Sequence, residues 1–281
     1  MEQPDQNGST PKLKAPPGSC DCHMHIYDPR YPARTDVAKP PVAPLDAYMT
    51  VRRRLGIDRC VVVQPVAYGT DNRCTLDAVA GMGGSARAIV VVDPGVADAE
   101  LDRLTGLGAR GIRFQMLPGG ILPWDALDQM AARVLNFGWH VQLQMDGRNL
   151  PERAVQLKRL PGTLVIDHVG KFLEPVPTDH AAFKTLLGLV ESGRTYVKLS
   201  AAYEVSRTGA PHYADVGALA KALVKAAPER MVWASNWPHP SAPAGKMPDD
   251  SNLLDLLLDW APDDATRRKI LVDNPVRLYG F

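Results

Sequence analysis

Cysteine is scarce in this chain: Cys20, Cys22, Cys60 and Cys74 are the only four in 281 residues. That is too few to staple a chain of this size with disulfides. The Cys20-x-Cys22 pair lacks the C-x-x-C spacing of a zinc or redox site, and no second pair completes one. Cys60 opens an apolar run and reads as a reduced core thiol. Net charge is scarce too. A formal charge of +1 leaves no basic stripe for nucleic acid, so no nucleic-acid partner is expected. No apolar run approaches the roughly 20 residues of a membrane span. Residues 1–10 lack the apolar segment of a signal peptide. No membrane association and a cytoplasmic location are therefore expected. Neither an internal repeat nor a domain boundary is visible.

What the chain does have is alternation. Residues 1–18, with Pro11, Pro16, Pro17 and Gly18, are expected to form a mobile N-terminal arm. From residue 19 to 281, short apolar runs alternate with helical patterns. Strands are expected at 21–25, 60–65, 88–93, 111–115, 140–145, 164–170, 196–200 and 231–236. Helical periodicity falls at 45–55, 75–82, 97–107, 124–137, 150–160, 179–191 and 213–227, with two further stretches at 251–260 and 263–272. The Pro-rich segment 29–44 is long for a connection and suits an active-site lid. Eight strands, each followed by a helix, predict a single (β/α)8 TIM-type barrel, a fold that commonly takes about 250 residues.

In such a barrel the chemistry sits at the C-terminal ends of the strands. The stretch Asp21-Cys22-His23-Met24-His25 ends strand one with two imidazoles on one side. The other strand ends supply Gln64, Asp93, Arg113 with Gln115, Gln142 with Gln144, His168, Lys198 with Ser200, and Asn236. Alternation places each of the i, i+2 pairs on a common side. By the same rule Asp167 and His168 should face opposite ways, with only one of them in the lumen. Any one of these polar ends is as well explained by a structural hydrogen bond. Three imidazoles converging on one mouth favour a site.

His-x-His on strand one, a lone His168 on strand six, Trp233-Ala-Ser-Asn-Trp-Pro-His239 on strand eight and the ending Asn274-Pro-Val-Arg-Leu-Tyr-Gly-Phe281 resemble the amidohydrolase superfamily, in its amidohydrolase-2 branch. Within that branch the pattern is most similar to the lactone-processing members. The resemblance spans nearly the whole chain after the N-terminal arm. It implies the barrel fold and, in metal-dependent members, divalent ions held by the His pair, histidines on strands five and six and a strand-eight Asp. This chain departs from that set: strand five ends in Gln142 and Gln144, and strand eight in Asn236. Catalysis without a metal is the expectation, with zinc on His23, His25 and His168 as the alternative.

In the hydrolytic relatives the strand-eight Asp is the general base for water. A carboxamide cannot accept that proton, although His168 or His239 could stand in. The remaining route is attack by the substrate's own hydroxyl. The resemblance chiefly implies the expected activity, isomerisation of a sugar-acid lactone, D-galactaro-1,5-lactone to the 1,4-lactone, by intramolecular acyl transfer. The alternatives are lactone hydrolysis, as in the 2-pyrone-4,6-dicarboxylate lactonases, and a non-catalytic sugar-acid-binding barrel. Expected catalytic residues are His23, His25, His168 and Asn236, the imidazoles titrating near neutrality as shuttles and oxyanion donors. Expected substrate contacts are Arg113 to a free carboxylate, then Gln64, Tyr68, Thr70, Gln115 and Gln144, with Lys198 either a second carboxylate contact or a salt-bridged strand residue. Strand seven runs into Ala202-Tyr203-Glu204, where a pyrone-dicarboxylate lactonase would carry another cation; this favours a hydroxylated monocarboxylate. A homo-oligomer is left open, with the Trp260 region as a candidate exposed patch.

Overall fold

The computed structural model describes residues 8–242 and 246–281. Eight parallel strands form one sheet in sequence order: β1 (Cys20–Met24), β2 (Arg59–Val63), β3 (Ala86–Val90), β4 (Ala109–Gln115), β5 (His140–Gln144), β6 (Leu164–Ile166), β7 (Thr195–Leu199) and β8 (Met231–Trp233). These runs are buried on both faces, because helices cover the outside and side chains fill the inside, and their polar residues include Arg113, Gln142 and Lys198. Inside lie Cys20, Cys22, Val61, Val63, Ile89, Val165, Tyr196 and Val232, with Tyr279 closing the lower end. All four cysteines are free and buried, and burial pushes the Cys60 thiol up to about 12.

β8 and β1 meet through specific bonds that close the barrel. The Asn236 N–H donates to the His23 carbonyl, and the His25 N–H to the Trp237 carbonyl, each at 2.8 Å. Beside them the buried Asp21 carboxylate accepts from the Ser235 N–H at 2.9 Å, the Ser235 hydroxyl at 2.5 Å and the Tyr48 hydroxyl at 3.1 Å. Burial nevertheless outweighs these donors and pushes Asp21 up to about 6.

The outer layer comprises α1 (Leu45–Leu55), α2 (Arg73–Met82), α3 (Asp98–Gly106), α4 (Leu127–Leu135), α5 (Leu150–Arg159), α6 (Ala181–Glu191), α7 (Ala214–Ala226) and α8 (Asp250–Trp260). α1 shows the logic: Ala47, Tyr48, Val51 and Leu55 recur at helical spacing and are buried, and Gly56 at φ 69° stops the helix. The last expected helix, at 263–272, is broken into α9 (Asp264–Arg268), a π turn over Lys269–Asp273 and α10 (Asn274–Tyr279).

One expectation is corrected. Trp260 is only 2% exposed and packs in the core, so it offers no surface patch for self-association. Of the expected N-terminal arm, residues 1–7 lie outside the described residues. From Ser9 the chain runs along α8: Ser9 N–H and hydroxyl donate to Asp249, the Lys12 and Leu13 N–H groups donate to Asp255, and Leu13 is buried. No helix among the described residues is long and apolar enough to cross a membrane.

Candidate active site

His23 on β1 and His25 just past its end reach the lumen with help from an irregularity. The β1–β2 register shifts between Asp21 and Met24. Such a bulge re-aims side chains, and here Cys22 and His23 both end up inside. The hydrogen bonds fix the imidazole tautomers. His25 Nδ1 lies 2.7 Å from the Val63 carbonyl, which can only accept, so Nδ1 carries the proton and Nε2 holds a lone pair. His23 Nε2 is 3.2 Å from that lone pair and is the donor to it. His23 Nδ1 is then the acceptor, facing the Lys198 ammonium at 3.2 Å.

Lys198 is fully buried and donates to Gln142 Oε1 at 2.6 Å, with Asp167 Oδ1 at 3.5 Å. Gln142 Nε2 in turn donates to Asp167 Oδ2 at 3.1 Å. Burial alone would push Asp167 up, but the charges of Lys198 and Arg113, with the hydrogen bond from Gln142, hold its carboxyl below the usual range. Lys198 is the salt-bridged strand residue of the two expected roles; it stands behind the histidines and forms no part of the cavity wall.

Asp167 and His168 do not face opposite ways. β6 ends at Ile166, and His168, Val169, Gly170 and Lys171 all adopt positive φ, from 48° to 88°. Left-handed backbone is costly for a β-branched valine, and strain of this kind gathers at functional sites. The turn brings donor atoms of His23, Asp167 and His168 within 4.8 Å of one another, and His25 is not in that group. Gly147 makes room for the turn: a Cβ there would sit 2.4 Å from the Gly170 carbonyl oxygen. His168 Nδ1 pairs with the Ser200 hydroxyl at 2.8 Å.

The imidazoles do not titrate near neutrality, contrary to the expectation. Burial, reinforced by the cations Lys198 and Arg113, pushes His23 well below its ordinary value and His25 down to about 3; burial does the same to His168. They are neutral rings, and the positive charge of the site resides on Lys198 and Arg113. His140, at the start of β5, lies against Tyr279 at the lower end of the barrel and is no part of the site.

Above these groups opens a cavity of about 460 Å³, walled by His25, Arg113, Gln115, Gln144, His168, Glu204 and Asn236. Segment 36–41 of the expected lid lies over it. Arg113 gives one N–H to the Gln64 carbonyl and one to Gln144 Oε1, both at 2.8 Å, while its buried Nε–H has no partner among the described residues. Gln64 is consumed by the fold: its side chain bonds the carbonyls of Gly69 and Asp71 and the Thr75 hydroxyl. The Tyr68 hydroxyl bonds the Asp28 backbone, and Thr70 is exposed outside this wall. Gln64, Tyr68 and Thr70 thus stand away from the cavity, whereas Arg113, Gln115 and Gln144 line it.

The residues match the family described as amidohydrolase over 20–281. The chain belongs to the amidohydrolase family. This amidohydrolase is similar to the D-galactarolactone isomerase of Agrobacterium fabrum (strain C58 / ATCC 33970), at 37% identity covering 97% of this chain and 94% of the relative. It is also similar to the 4-sulfomuconolactone hydrolase of Hydrogenophaga intermedia, at 38% identity covering 94% of this chain and 89% of the relative. A crystal structure from Agrobacterium tumefaciens, solved in apo form, superposes with a TM-score of 0.93 at 37% identity, covering 99% of each chain.

Asn236 occupies the strand-eight position of the amidohydrolase at φ 61°, a left-handed conformation that asparagine tolerates. Its Nδ2 is 2.8 Å from the Tyr203 hydroxyl and 3.1 Å from Glu204 Oε1. Glu204 is ion-paired with Lys171, whose ammonium burial pushes down to about 8. Asp167, Tyr203 and Glu204 were not among the expected site residues. Tyr203 and Glu204 follow β7 on a turn whose course periodicity does not reveal. Asp167 was set aside by an alternation rule that stops applying where the strand stops.

Proposed function

We propose that this amidohydrolase isomerises a hydroxylated sugar-acid lactone, D-galactaro-1,5-lactone to the 1,4-lactone, by intramolecular acyl transfer and without a metal. The observation that carries the reading is Asn236: the cavity wall offers a carboxamide where the family's hydrolases carry the base for water. Of the two carboxylates in that wall, Glu204 is neutralised by Lys171 and engaged by Asn236, and Asp36 is paired with Arg34.

The lactone carbonyl lies against His168, whose Nε2–H donates to the developing oxyanion while the Ser200 hydroxyl donates to Nδ1. Arg113, which lines the cavity, holds the free carboxylate. The C4 hydroxyl attacks C1, the bond from C1 to the ring oxygen breaks, and the hydroxyl proton ends on that oxygen. No net proton is consumed, so no permanent base is required. His25 lines the cavity, and His23 fixes its ring through the contact of their Nε2 atoms. A tethered hydroxyl has an effective concentration orders of magnitude above that of water, which favours ring contraction over hydrolysis.

His23, Asp167 and His168 could hold a metal ion. Two of these donors, however, already face the Lys198 ammonium, at 3.2 Å and 3.5 Å. A divalent ion would have to displace or sit beside that cation, so the residues as placed do not fit it. The second reading is lactone hydrolysis, supported by the hydrolase relative. Chelator-treated protein given fresh 1,5-lactone in 18O-water decides between them. Unlabelled 1,4-lactone formed faster than background is expected. Labelled open-chain acid would make the protein a hydrolase, and activity returning only with zinc would refute the metal-free part.

A further inference from the structure

We infer that Tyr203 and Glu204 are positioning residues that lock the Asn236 carboxamide with its carbonyl oxygen toward the cavity, where it accepts the hydrogen of the attacking substrate hydroxyl. This deepens the isomerase reading and rests on it. Glu204 Oε1, 3.1 Å away, is a carboxylate oxygen that can only accept, so the amide end facing it is N–H. The Tyr203 oxygen takes the second Nδ2 hydrogen at 2.8 Å. That leaves the tyrosine proton free to donate to His239 Nδ1 at 3.0 Å, and His239 Nε2 faces Asp250 Oδ1 at 3.1 Å. The two donations agree in direction, amide to tyrosine and tyrosine to imidazole, and the Asp250 carboxylate stands beside the far nitrogen of that imidazole. The far side of Glu204 is held by Lys171. Tyr203, Asn236, His239 and Asp250 are all buried, so water does not compensate a reversed amide. Turned round, the Asn236 oxygen would meet the Glu204 carboxylate and strand an acceptor against an acceptor.

Asn236 is thereby restricted to accepting. It cannot donate to the lactone carbonyl or the ring oxygen, and it can hold a hydroxyl by its hydrogen. That hold turns an oxygen lone pair toward the acyl carbon without removing the proton. It selects substrates with a free hydroxyl within reach of the carbonyl, such as polyhydroxylated lactones, over unsaturated ones.

Glu204→Gln tests the lock, because a carboxamide offers either end and lets Asn236 turn. In the wild-type background we expect kcat for isomerisation to fall about 10-fold or more, with KM within about threefold. In an Asn236→Asp background the sign reverses. There two carboxylates face each other and share a proton, which blunts the new base. Adding Glu204→Gln is expected to raise hydrolysis about 10-fold at neutral pH, a gain that structural damage does not produce. An unchanged kcat for Glu204→Gln, or a double variant that loses hydrolysis instead of gaining it, overturns the lock. If the wild-type protein makes no 1,4-lactone, the isomerase reading falls first and on its own. The lock is then read from the Asn236 side-chain amide in 15N spectra: slow hydrogen exchange that becomes fast in Tyr203→Phe supports it, and equal exchange in both proteins refutes it.

Discussion

Lys198 is the residue on which the site's electrostatics turn. Its ammonium lies between His23 Nδ1 and Asp167 and, with Arg113, supplies the positive charge that neutral imidazoles cannot. Lys198→Met keeps the length of the side chain and removes the charge. It leaves the buried Asp167 carboxylate without its main partner, which costs about 3–5 kcal/mol of stability. It also leaves His23 Nδ1 without the ammonium that faces it, while the Val63–His25 contact still sets the His23 tautomer. The expected outcome is a fall in kcat of about 10²-fold, the size of losing one preorganised donor. A second consequence separates this view from a metal centre. With the ammonium gone, His23, Asp167 and His168 form a vacant donor set, and zinc is expected to bind Lys198→Met more tightly than wild type in calorimetry. Wild type binding zinc as well as the variant would refute the role given to Lys198.

At the scale of elements, the site depends on a lid and on a left-handed turn. The lid is pinned by Arg34, which donates to the Gly119 carbonyl at 2.9 Å, pairs with Asp36, and receives the chain through an N–H bond to Ala67. Arg34→Ala removes the pin without touching the histidines. KM is expected to rise about 10-fold with kcat changed less, since an unpinned lid weakens binding before it disturbs chemistry. A variant with unchanged KM would show that the lid does not contribute to binding. The lid was legible in the sequence because 29–44 is too long and too rich in proline to be a mere connection. So were the strands, whose β-branched runs have no other use, and the His23–His25, Arg113–Gln115 and Gln142–Gln144 pairs, whose i, i+2 spacing survives any small error in strand ends. The turn at 168–171 was not legible. Nothing in His168-Val169 announces positive φ, and a valine argues against it. Gln64, Tyr68 and Thr70 lie outside the cavity wall for a related reason: a polar group at a strand end serves a loop carbonyl as readily as a substrate, and only the loop's course decides.

For the whole molecule, the same burial that tunes the site makes the fold sensitive to acid. His23, His25, His140 and His168 are all pushed far below the ordinary value of 6.5. In the unfolded chain they titrate at that ordinary value. Below it the unfolded state binds protons that the folded state refuses, so the stability these neutral rings contribute is complete above 6.5 and is lost as pH falls. Each ring costs roughly 1 kcal/mol by pH 5.5, and the four together several. Asp21 works in the opposite sense. Its folded value of about 6 lies above the unfolded 3.8, so the folded state takes up a proton first and gains as pH falls. At pH 5.5 that gain is roughly 1 kcal/mol, less than the histidine loss, so the histidines win. Urea unfolding at pH 7.5 and 5.5 is therefore expected to show a clear drop in stability well above the carboxylate range. His140→Gln isolates the cause, because His140 sits at the lower end of the barrel, away from substrate, in space left by Gly111. The variant should lose about one proton from the pH slope of stability while its isomerase kinetics keep the wild-type pH profile. A slope unchanged by His140→Gln, or no loss of stability between the two pH values, would mean that these rings take up protons inside the fold and that the site is not a neutral one.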